Sequence, residues 1–231
     1  MTIGGIQKLT LIDYPERIAT TIFITGCNFR CPWCYSSEIV LPEKIKKQSK
    51  ISEKEILSFL KSNRNLLEGV VICGGEPCLH KDLPSFVKKI KKLNYPVKID
   101  TNAYWPEMLR HLIDNNLIDY VAIDIKAPKE KYEQVVGRKI NIKNIERSIS
   151  ILKENKIDYE FRTTVVPKLL KKNDIINIAH WILGAKKYYL QGFRPEKNID
   201  PKFEKVKPYS EKYLLTIQKA ISPLFEVCQI R

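Results

Sequence analysis

Short apolar runs alternate with helical patterns along most of the chain. Six runs rich in β-branched and aromatic residues predict strands at residues 18–24, 69–73, 97–100, 120–125, 159–166 and 188–193. Because these runs are nearly continuous rather than alternating, they indicate strands that are buried on both faces. Between them, apolar residues recur at helical spacing, as Leu83, Phe86 and Ile90 do in one segment.

Some helical patterns carry start signals. Ser52 and Glu55 form a capping box ahead of an apolar helix face. Asn173 and Asp174 are cap candidates for another helix, and a further helix is predicted to start after Pro106. Strands that alternate with helices in this way predict parallel pairing through right-handed crossovers.

The number of strand–helix units predicts the architecture. A closed eight-fold barrel typically needs about 250 residues, whereas this chain has 231 and shows six units. We therefore predict an α/β fold, an open partial (β/α)6 barrel. One domain is expected over residues 1–231, with a core at about 16–195 and a C-terminal extension at 196–231. In such sheets the chemistry lies at the carboxyl ends of the strands.

Composition and charge narrow the class of protein. Hydrophobic residues make up 44 % of the chain, and no apolar stretch reaches the roughly 18 residues of a membrane span. The N-terminus lacks the features of a signal peptide, so a cytoplasmic protein without membrane contact is expected. The net charge of +14 could suit nucleic acid. However, the lysines are scattered and do not interleave with aromatic residues, so we expect a solvated surface, with an acidic protein or a phosphorylated substrate as alternatives.

A cysteine motif follows the first predicted strand directly. Cys27, Cys31 and Cys34 have C-x3-C-x2-C spacing, and thiolates are the soft ligands of iron–sulfur clusters and zinc. Three cysteines can hold three corners of a cubane cluster and leave one iron open to a small molecule. A structural zinc site would need a fourth ligand. The nearest histidine is His80, and no second cysteine pair of that kind is present.

With Trp33 before the third cysteine, this motif resembles that of the radical S-adenosylmethionine superfamily. The resemblance implies a 4Fe–4S cluster whose open iron is chelated by the amino and carboxylate groups of S-adenosylmethionine. An electron from the cluster then breaks a carbon–sulfur bond and releases a 5′-deoxyadenosyl radical. Tyr35 stands where related activating enzymes often have histidine, and we count both aromatic residues as cofactor-binding candidates. No further ferredoxin-like cysteine cluster is present, so an external electron donor such as ferredoxin or flavodoxin is expected.

The segment Gly74-Gly75-Glu76-Pro77 follows the second predicted strand. Paired glycines let backbone groups approach a ligand closely, and Glu76 offers an acceptor for an ammonium group. An ordinary turn before a helix is the alternative. The segment resembles the superfamily's motif for the methionine amino group, so all four residues are cofactor-binding candidates.

Polar residues also end the third and fourth predicted strands. Asp124 and Lys126 share one face of a strand because they are two residues apart, although a simple surface ion pair would explain them equally well. These segments resemble those that hold the ribose and a monovalent cation in pyruvate formate-lyase activating enzymes. The resemblance makes Asp124 and Lys126 cofactor-binding candidates, and Asp100, Thr101 and Asp124 candidate ligands of a sodium or potassium ion.

Two arginines lie at the last two predicted strands, Arg162 within the fifth and Arg194 just after the sixth. Arg162 begins a segment that resembles the Arg-x-x-Val-x-Pro of activating enzymes, whose arginine lies near the cofactor carboxylate. Arg194 aligns with a histidine near the adenine in those enzymes, and an arginine can also stack on a base. For Cys73, Cys78 and Cys228 the favoured interpretation is structural.

Several longer sequence segments resemble those of one subgroup, the anaerobic ribonucleoside-triphosphate reductase activating proteins. They lie at residues 11–15, 26–35, 119–128 and 191–195, within a resemblance that spans about 3–205. It implies an enzyme that abstracts a glycine hydrogen from a partner glycyl radical enzyme. Two alternatives remain: a radical S-adenosylmethionine enzyme acting on a small molecule or tRNA, and a cluster- or zinc-bearing RNA-binding module. The last leaves the Gly-Gly-Glu-Pro and Asp-x-Lys segments unexplained.

Overall fold

One open sheet organises the chain. In the computed structural model, which describes residues 1–154 and 156–231, eight strands lie side by side in chain order. They are β1 (Ile3–Thr10), β2 (Ala19–Ile24), β3 (Gly69–Gly74), β4 (Val97–Thr101), β5 (Tyr120–Asp124), β6 (Asp158–Val165), β7 (Lys187–Gly192) and β8 (Val227–Ile230). β1 is antiparallel to β2, and β2 to β8 are parallel in succession.

Helices connect the parallel strands. They are α1 (Ser37–Val40), α2 (Pro42–Ile45), α3 (Glu53–Ser62), α4 (Leu83–Lys91), α5 (Pro106–Asp114), α6 (Tyr132–Val136), α7 (Ile142–Lys153), α8 (Lys172–Trp181) and α9 (Glu211–Ile221). Within the described residues, no helix combines the length and apolar character needed to cross a membrane.

The predicted open partial barrel is confirmed, and the six predicted strands correspond to β2 through β7. Two edge strands were not predicted. β1 contains the Gly4-Gly5 pair and several exposed positions, which hide a strand pattern. β8 has only four residues, and Gln229 among them is exposed. Neither strand contains a continuous apolar run. Each one is part of the sheet because it pairs with a neighbouring strand.

The predicted helix starts have different outcomes. Ser52 and Glu55 form the expected capping box, with the Glu55 N–H donating to Ser52 Oγ at 3.2 Å and the Ser52 N–H donating to Glu55 Oε2 at 2.8 Å. The caps predicted for α8 are wrong. Lys171 is the N-cap residue, and Asp174 lies one turn inside the helix, where its carboxylate accepts the Lys171 N–H at 2.8 Å.

The two faces of the sheet differ in chemistry. The face covered by helices carries core residues such as Ile72, Ile99 and Ile123, all fully buried. The inner face has a small apolar cluster of Tyr14, Ala19, Val71 and Tyr120. The ammonium groups of Lys98 and Lys187 lie 6.0 and 5.6 Å from the centroid of the Tyr120 ring. The strands are buried on both faces, as predicted. The inner face also holds buried charged side chains, which the nearly continuous apolar pattern does not predict.

Candidate active site

The cysteine-bearing loop at residues 26–35, here the cluster loop, follows β2 and rests on the end of α6. Trp33 Nε1 donates to the Val135 carbonyl at 3.2 Å, and the Arg30 N–H donates to the Val136 carbonyl at 2.9 Å. Gly137 ends α6 with φ of 67°, and a Cβ there would lie 2.4 Å from the Arg30 carbonyl oxygen. A glycine is therefore required where the helix end meets the loop.

A second segment holds the other half of the cluster loop. Asn198 Nδ2 donates to the Trp33 carbonyl at 2.7 Å, and the Ile199 N–H donates to the Cys34 carbonyl at 3.0 Å. The Asp200 N–H donates to the Pro32 carbonyl at 2.8 Å. Backbone groups of an irregular loop must find partners when buried, and here they come from residues far away in the sequence.

The three cysteines of the loop are free thiols that influence one another electrostatically. Burial raises the pKa of Cys27 to about 12 and also raises the pKa values of Cys31 and Cys34, while the Lys126 ammonium group acts on all three in the opposite direction. Within residues 1–154 and 156–231, no three His, Cys, Asp or Glu side chains are arranged around a single metal ion. Three unpaired thiols on one anchored loop, facing a cation, fit a cluster that takes three protein ligands. Their deprotonation must accompany its binding.

The paired glycines bring two strand ends together. A Cβ on Gly75 would lie 2.0 Å from the Gly26 carbonyl oxygen, and Gly74 has φ of 119°. The Glu76 N–H donates to the Gly26 carbonyl at 2.8 Å, and the Gly75 N–H donates to the Ile24 carbonyl at 2.8 Å. The glycines thus allow the backbones of β2 and β3 to touch just before the first cysteine. This close contact of two strand ends is a further role for the glycines, beside the ligand approach or the ordinary turn that the sequence suggests.

The Glu76 carboxylate is fully buried and accepts three hydrogen bonds from the chain itself. They come from Thr101 Oγ1 at 2.6 Å, the Asn102 N–H at 2.7 Å and the Cys78 N–H at 3.0 Å, beside the short turn that Pro77 begins. Burial raises the pKa of Glu76 from about 4.5 to about 7. Since the folded-state pKa is the higher one, this group's contribution to stability falls as pH rises between these values. In this structure the carboxylate joins the segment after β3 to the end of β4.

Arg162 lies at the centre of a charged network on the inner face. Its Nε donates to Asp124 Oδ1 and its Nη1 to Asp100 Oδ2, both at 2.8 Å. Lys98 pairs with Asp100, and Lys126 pairs with Asp124 at 3.1 Å. Burial alone would raise the pKa of Asp124. The positive charges of Arg162 and Lys126 outweigh this effect and hold the pKa of Asp124 well below its usual range. Within the described residues, Nη2 of Arg162 has no hydrogen-bond partner.

The candidate cation ligands do not form one ligand set. The Arg162 guanidinium lies between Asp100 and Asp124, so a fixed positive charge already bridges both carboxylates. The Thr101 hydroxyl lies on the other side of β4 and donates to Glu76. A sodium or potassium ion here remains a prediction from the resemblance alone.

The remaining candidates lie at the same end of the sheet. The Lys126 Nζ atom is 5.3 Å from the centroid of the Trp33 ring. Tyr35 lies within reach of the charges of both Asp124 and Arg194, so these three side chains are neighbours. Arg194 is exposed after β7. Tyr35 is exposed over 56 % of its surface, which is unusual for a tyrosine and leaves its ring available at the open end of the barrel.

Further polar residues, beyond the candidate site residues, contact the cluster loop and the charged network. Asn102 Nδ2 donates to Asn28 Oδ1 at 2.9 Å and approaches the Cys27 sulfur at 3.8 Å, linking β4 to the cluster loop. Glu160 is 1 % exposed and pairs with Arg231 at 3.0 Å beside Arg162. The signal for Glu160 was its position two residues before Arg162 in a buried strand, which places both on one face.

The chain belongs to the Radical SAM superfamily, which it matches over residues 21–182. A protein of Methanocaldococcus jannaschii, provisionally named as a glycyl-radical enzyme activating enzyme, is 36 % identical over 238 residues, covering 99 % of this chain and 95 % of that protein. The chain is therefore a radical S-adenosylmethionine enzyme, and a 4Fe–4S cluster and S-adenosylmethionine are the cofactors that its family implies.

Other similarities are partial or structural. The 7-carboxy-7-deazaguanine synthase of Aquifex aeolicus is 36 % identical over 89 residues, or 37 % of each chain. Streptococcus suis SuiB bound to S-adenosylmethionine superposes with a TM-score of 0.67 at 13 % identity, over 91 % of this chain but only 51 % of SuiB. QueE from Escherichia coli has a TM-score of 0.58 at 18 % identity, covering 100 % of this chain and 94 % of QueE. At these identities the two structures support the fold alone.

Proposed function

We propose that this enzyme is an activase that makes a glycyl radical on a partner protein, with an anaerobic ribonucleotide reductase as the first candidate. The observation that carries the proposal is the similarity to the M. jannaschii protein over nearly the full length of both chains. Similarity over the cysteine motif alone would fit any member of the superfamily.

In this proposal Cys27, Cys31 and Cys34 hold the 4Fe–4S cluster. When bound, the cluster supplies the electron that splits S-adenosylmethionine. The chain positions the reactants: α6 and residues 198–200 hold the cluster loop, and the Gly74–Glu76 segment fixes the neighbouring strand end. Such positioning of a reactive cofactor is the main contribution of a protein to this type of chemistry.

The charged network would bind S-adenosylmethionine. Arg162 keeps Nη2 available for a carboxylate while its other donors fix its plane against two aspartates, and planar guanidinium suits a carboxylate. Asp124 stays ionised and can accept from ribose hydroxyls. The exposed Tyr35 and Arg194 flank the open end, where Arg194 can stack on an adenine ring.

The open barrel suits a protein substrate. A glycine on a partner must reach the strand carboxyl ends as part of a peptide loop, which needs more room than a small molecule does. β1 and β8 are the edges of the sheet and do not pair with each other. The barrel is therefore not closed around its contents.

The test is anaerobic mixing of the reconstituted enzyme with its host's class III ribonucleotide reductase, S-adenosylmethionine and a reductant. We expect a glycine-centred EPR doublet on the reductase, and none with the Cys31→Ala variant. If S-adenosylmethionine is cleaved but no doublet forms, this reductase is not the partner.

A radical S-adenosylmethionine enzyme that modifies a small molecule or tRNA is the second candidate. The partial similarity to 7-carboxy-7-deazaguanine synthase and the net charge of +14 favour it. A tRNA substrate would be bound through many phosphate contacts, so its affinity would fall steeply with salt. Salt-sensitive nanomolar binding of tRNA, together with no radical on the reductase, would favour this candidate over the activase.

A further inference from the structure

Three basic residues lie where the cluster loop meets the end of α6. Arg138 and Lys139 follow Gly137, the residue that ends α6, and both are exposed. Arg30 meets the same helix end through its bond to the Val136 carbonyl. We call Arg30, Arg138 and Lys139 the outer basic patch.

The chain places one carboxylate beside this patch, since Glu133 Oε1 accepts the Ile140 N–H at 2.9 Å, and a positive excess therefore remains. Nearby lysines between β5 and α7 are paired, Lys129 with Glu146 and Lys131 with Asp174. In contrast, neither Arg138 nor Lys139 has an ion-pair partner within residues 1–154 and 156–231. Local neutralisation is thus the pattern in this segment, and these two adjacent side chains depart from it.

The patch is connected directly to a cluster ligand. Arg30 Nη1 donates to the Cys27 carbonyl at 2.7 Å and to the Phe29 carbonyl at 2.6 Å. The guanidinium is half-buried between the exposed patch and the backbone that carries the first cysteine. A protein bound at the patch would therefore lie against the cluster loop itself.

The open end of the barrel is needed for other purposes. Tyr35 and Arg194 border it, near Asp124. S-adenosylmethionine and the substrate must enter by that end. A reductant that approached by the same route would compete with both of them.

We propose that the outer basic patch is the docking surface for a small acidic electron-donor protein. This inference rests on the cluster proposed at Cys27, Cys31 and Cys34, but not on the identity of the radical acceptor. One electron passes from the reduced iron–sulfur or flavin group of the donor to the cluster, so the donor is oxidised by one electron and the cluster is reduced by one. Complementary charge accelerates such encounters and makes them sensitive to salt.

The test compares two charge reversals of equal size. Arg138→Glu with Lys139→Glu reverses the charge of the two exposed patch residues. Lys92→Glu with Lys186→Glu reverses two exposed lysines at the other end of the barrel, before β4 and β7. Fluorescence anisotropy would measure the affinity of apo and cluster-loaded protein for a labelled acidic ferredoxin at low salt. We expect the patch variant to bind about tenfold more weakly or worse, and the control to change by less than about threefold.

A second readout separates docking from damage to the site. Stopped-flow bleaching of the cluster absorbance should slow about tenfold with reduced ferredoxin as donor, and remain unchanged with dithionite, which needs no docking. The milder Arg138→Gln with Lys139→Gln variant should show a smaller effect of the same kind. No glycyl radical enzyme is present, so failure of the activase proposal leaves this result unaffected.

Three outcomes would overturn the docking proposal. Equal weakening by both reversals would mean that only the overall charge matters. An equal slowing with dithionite in the patch variants would mean that these side chains support the loop rather than a partner. Unchanged ferredoxin binding combined with lost binding of labelled tRNA would make the patch a nucleic-acid surface.

Discussion

Replacing Gly75 with alanine is expected to abolish the cluster site. The added methyl group would lie 2.0 Å from the Gly26 carbonyl oxygen and 2.6 Å from its carbon, so the ends of β2 and β3 must separate. Overpacking of this kind costs about 1–3 kcal/mol, occasionally more. Because Gly26 directly precedes Cys27, the displacement moves one of the proposed cluster ligands. Since about 3 kcal/mol corresponds to roughly a hundredfold in binding, the iron retained after reconstitution and desalting should fall to a small fraction of the normal amount.

Gly192→Ala is the matched control. Gly192 ends β7, and a Cβ there would meet nothing within 4 Å. We expect normal iron content and a melting temperature close to that of the unchanged protein. Full iron retention by the Gly75→Ala variant would contradict the close approach of the two strand ends.

Removing Arg162 is expected to cause the largest loss of stability. Arg162→Leu would leave the Asp100 and Asp124 carboxylates close together without the guanidinium between them, and all three side chains are at least three-quarters buried. Breaking such a buried network by removing one partner costs about 3–5 kcal/mol. Urea unfolding of the apo-protein would measure this change in the free energy of unfolding. Adding Asp100→Asn and Asp124→Asn to the same chain should not restore it, because the buried Lys98 and Lys126 ammonium groups would then lack their carboxylate partners.

Arg110→Leu is the control for an exposed arginine. Arg110 also pairs with two carboxylates, those of Glu154 and Asp114, but its side chain is 32 % exposed. Exposed pairs contribute about 0–1 kcal/mol. The free energy of unfolding of this variant should therefore stay close to that of the unchanged protein. If Arg162→Leu lowered the free energy of unfolding no more than Arg110→Leu does, solvent would be screening the charges of the inner network.

The core of the fold could be predicted because its signals are local. Each of β2 to β7 is a short apolar run of its own, and alternation with helices limits how such strands can pair. β1 and β8 lack this signal. β1 includes Gly4, Gly5 and Lys8, and β8 is only four residues long. Their place in the sheet depends on a neighbouring strand, which the sequence alone does not identify.

The candidate residues of the site can be proposed from the sequence, but the contacts that hold them in place cannot. The cysteine spacing and the polar residues at strand ends are local patterns. The contacts that hold the cluster loop are not, because Trp33 bonds to Val135 and to Asn198, which are 102 and 165 residues away. The crowding at Gly75 is also not a local pattern, because it depends on how closely the end of another strand approaches.

The most direct test of the account is S-adenosylmethionine cleavage by the anaerobically reconstituted protein with dithionite. We predict about four irons per chain and release of 5′-deoxyadenosine. Both should be lost in the Cys31→Ala variant and retained in Cys228→Ala, whose thiol lies on β8 outside the cluster loop. Continued cleavage by a chain in which Cys27, Cys31 and Cys34 are all replaced with alanine would contradict the assignment of these cysteines as the ligands of the cluster.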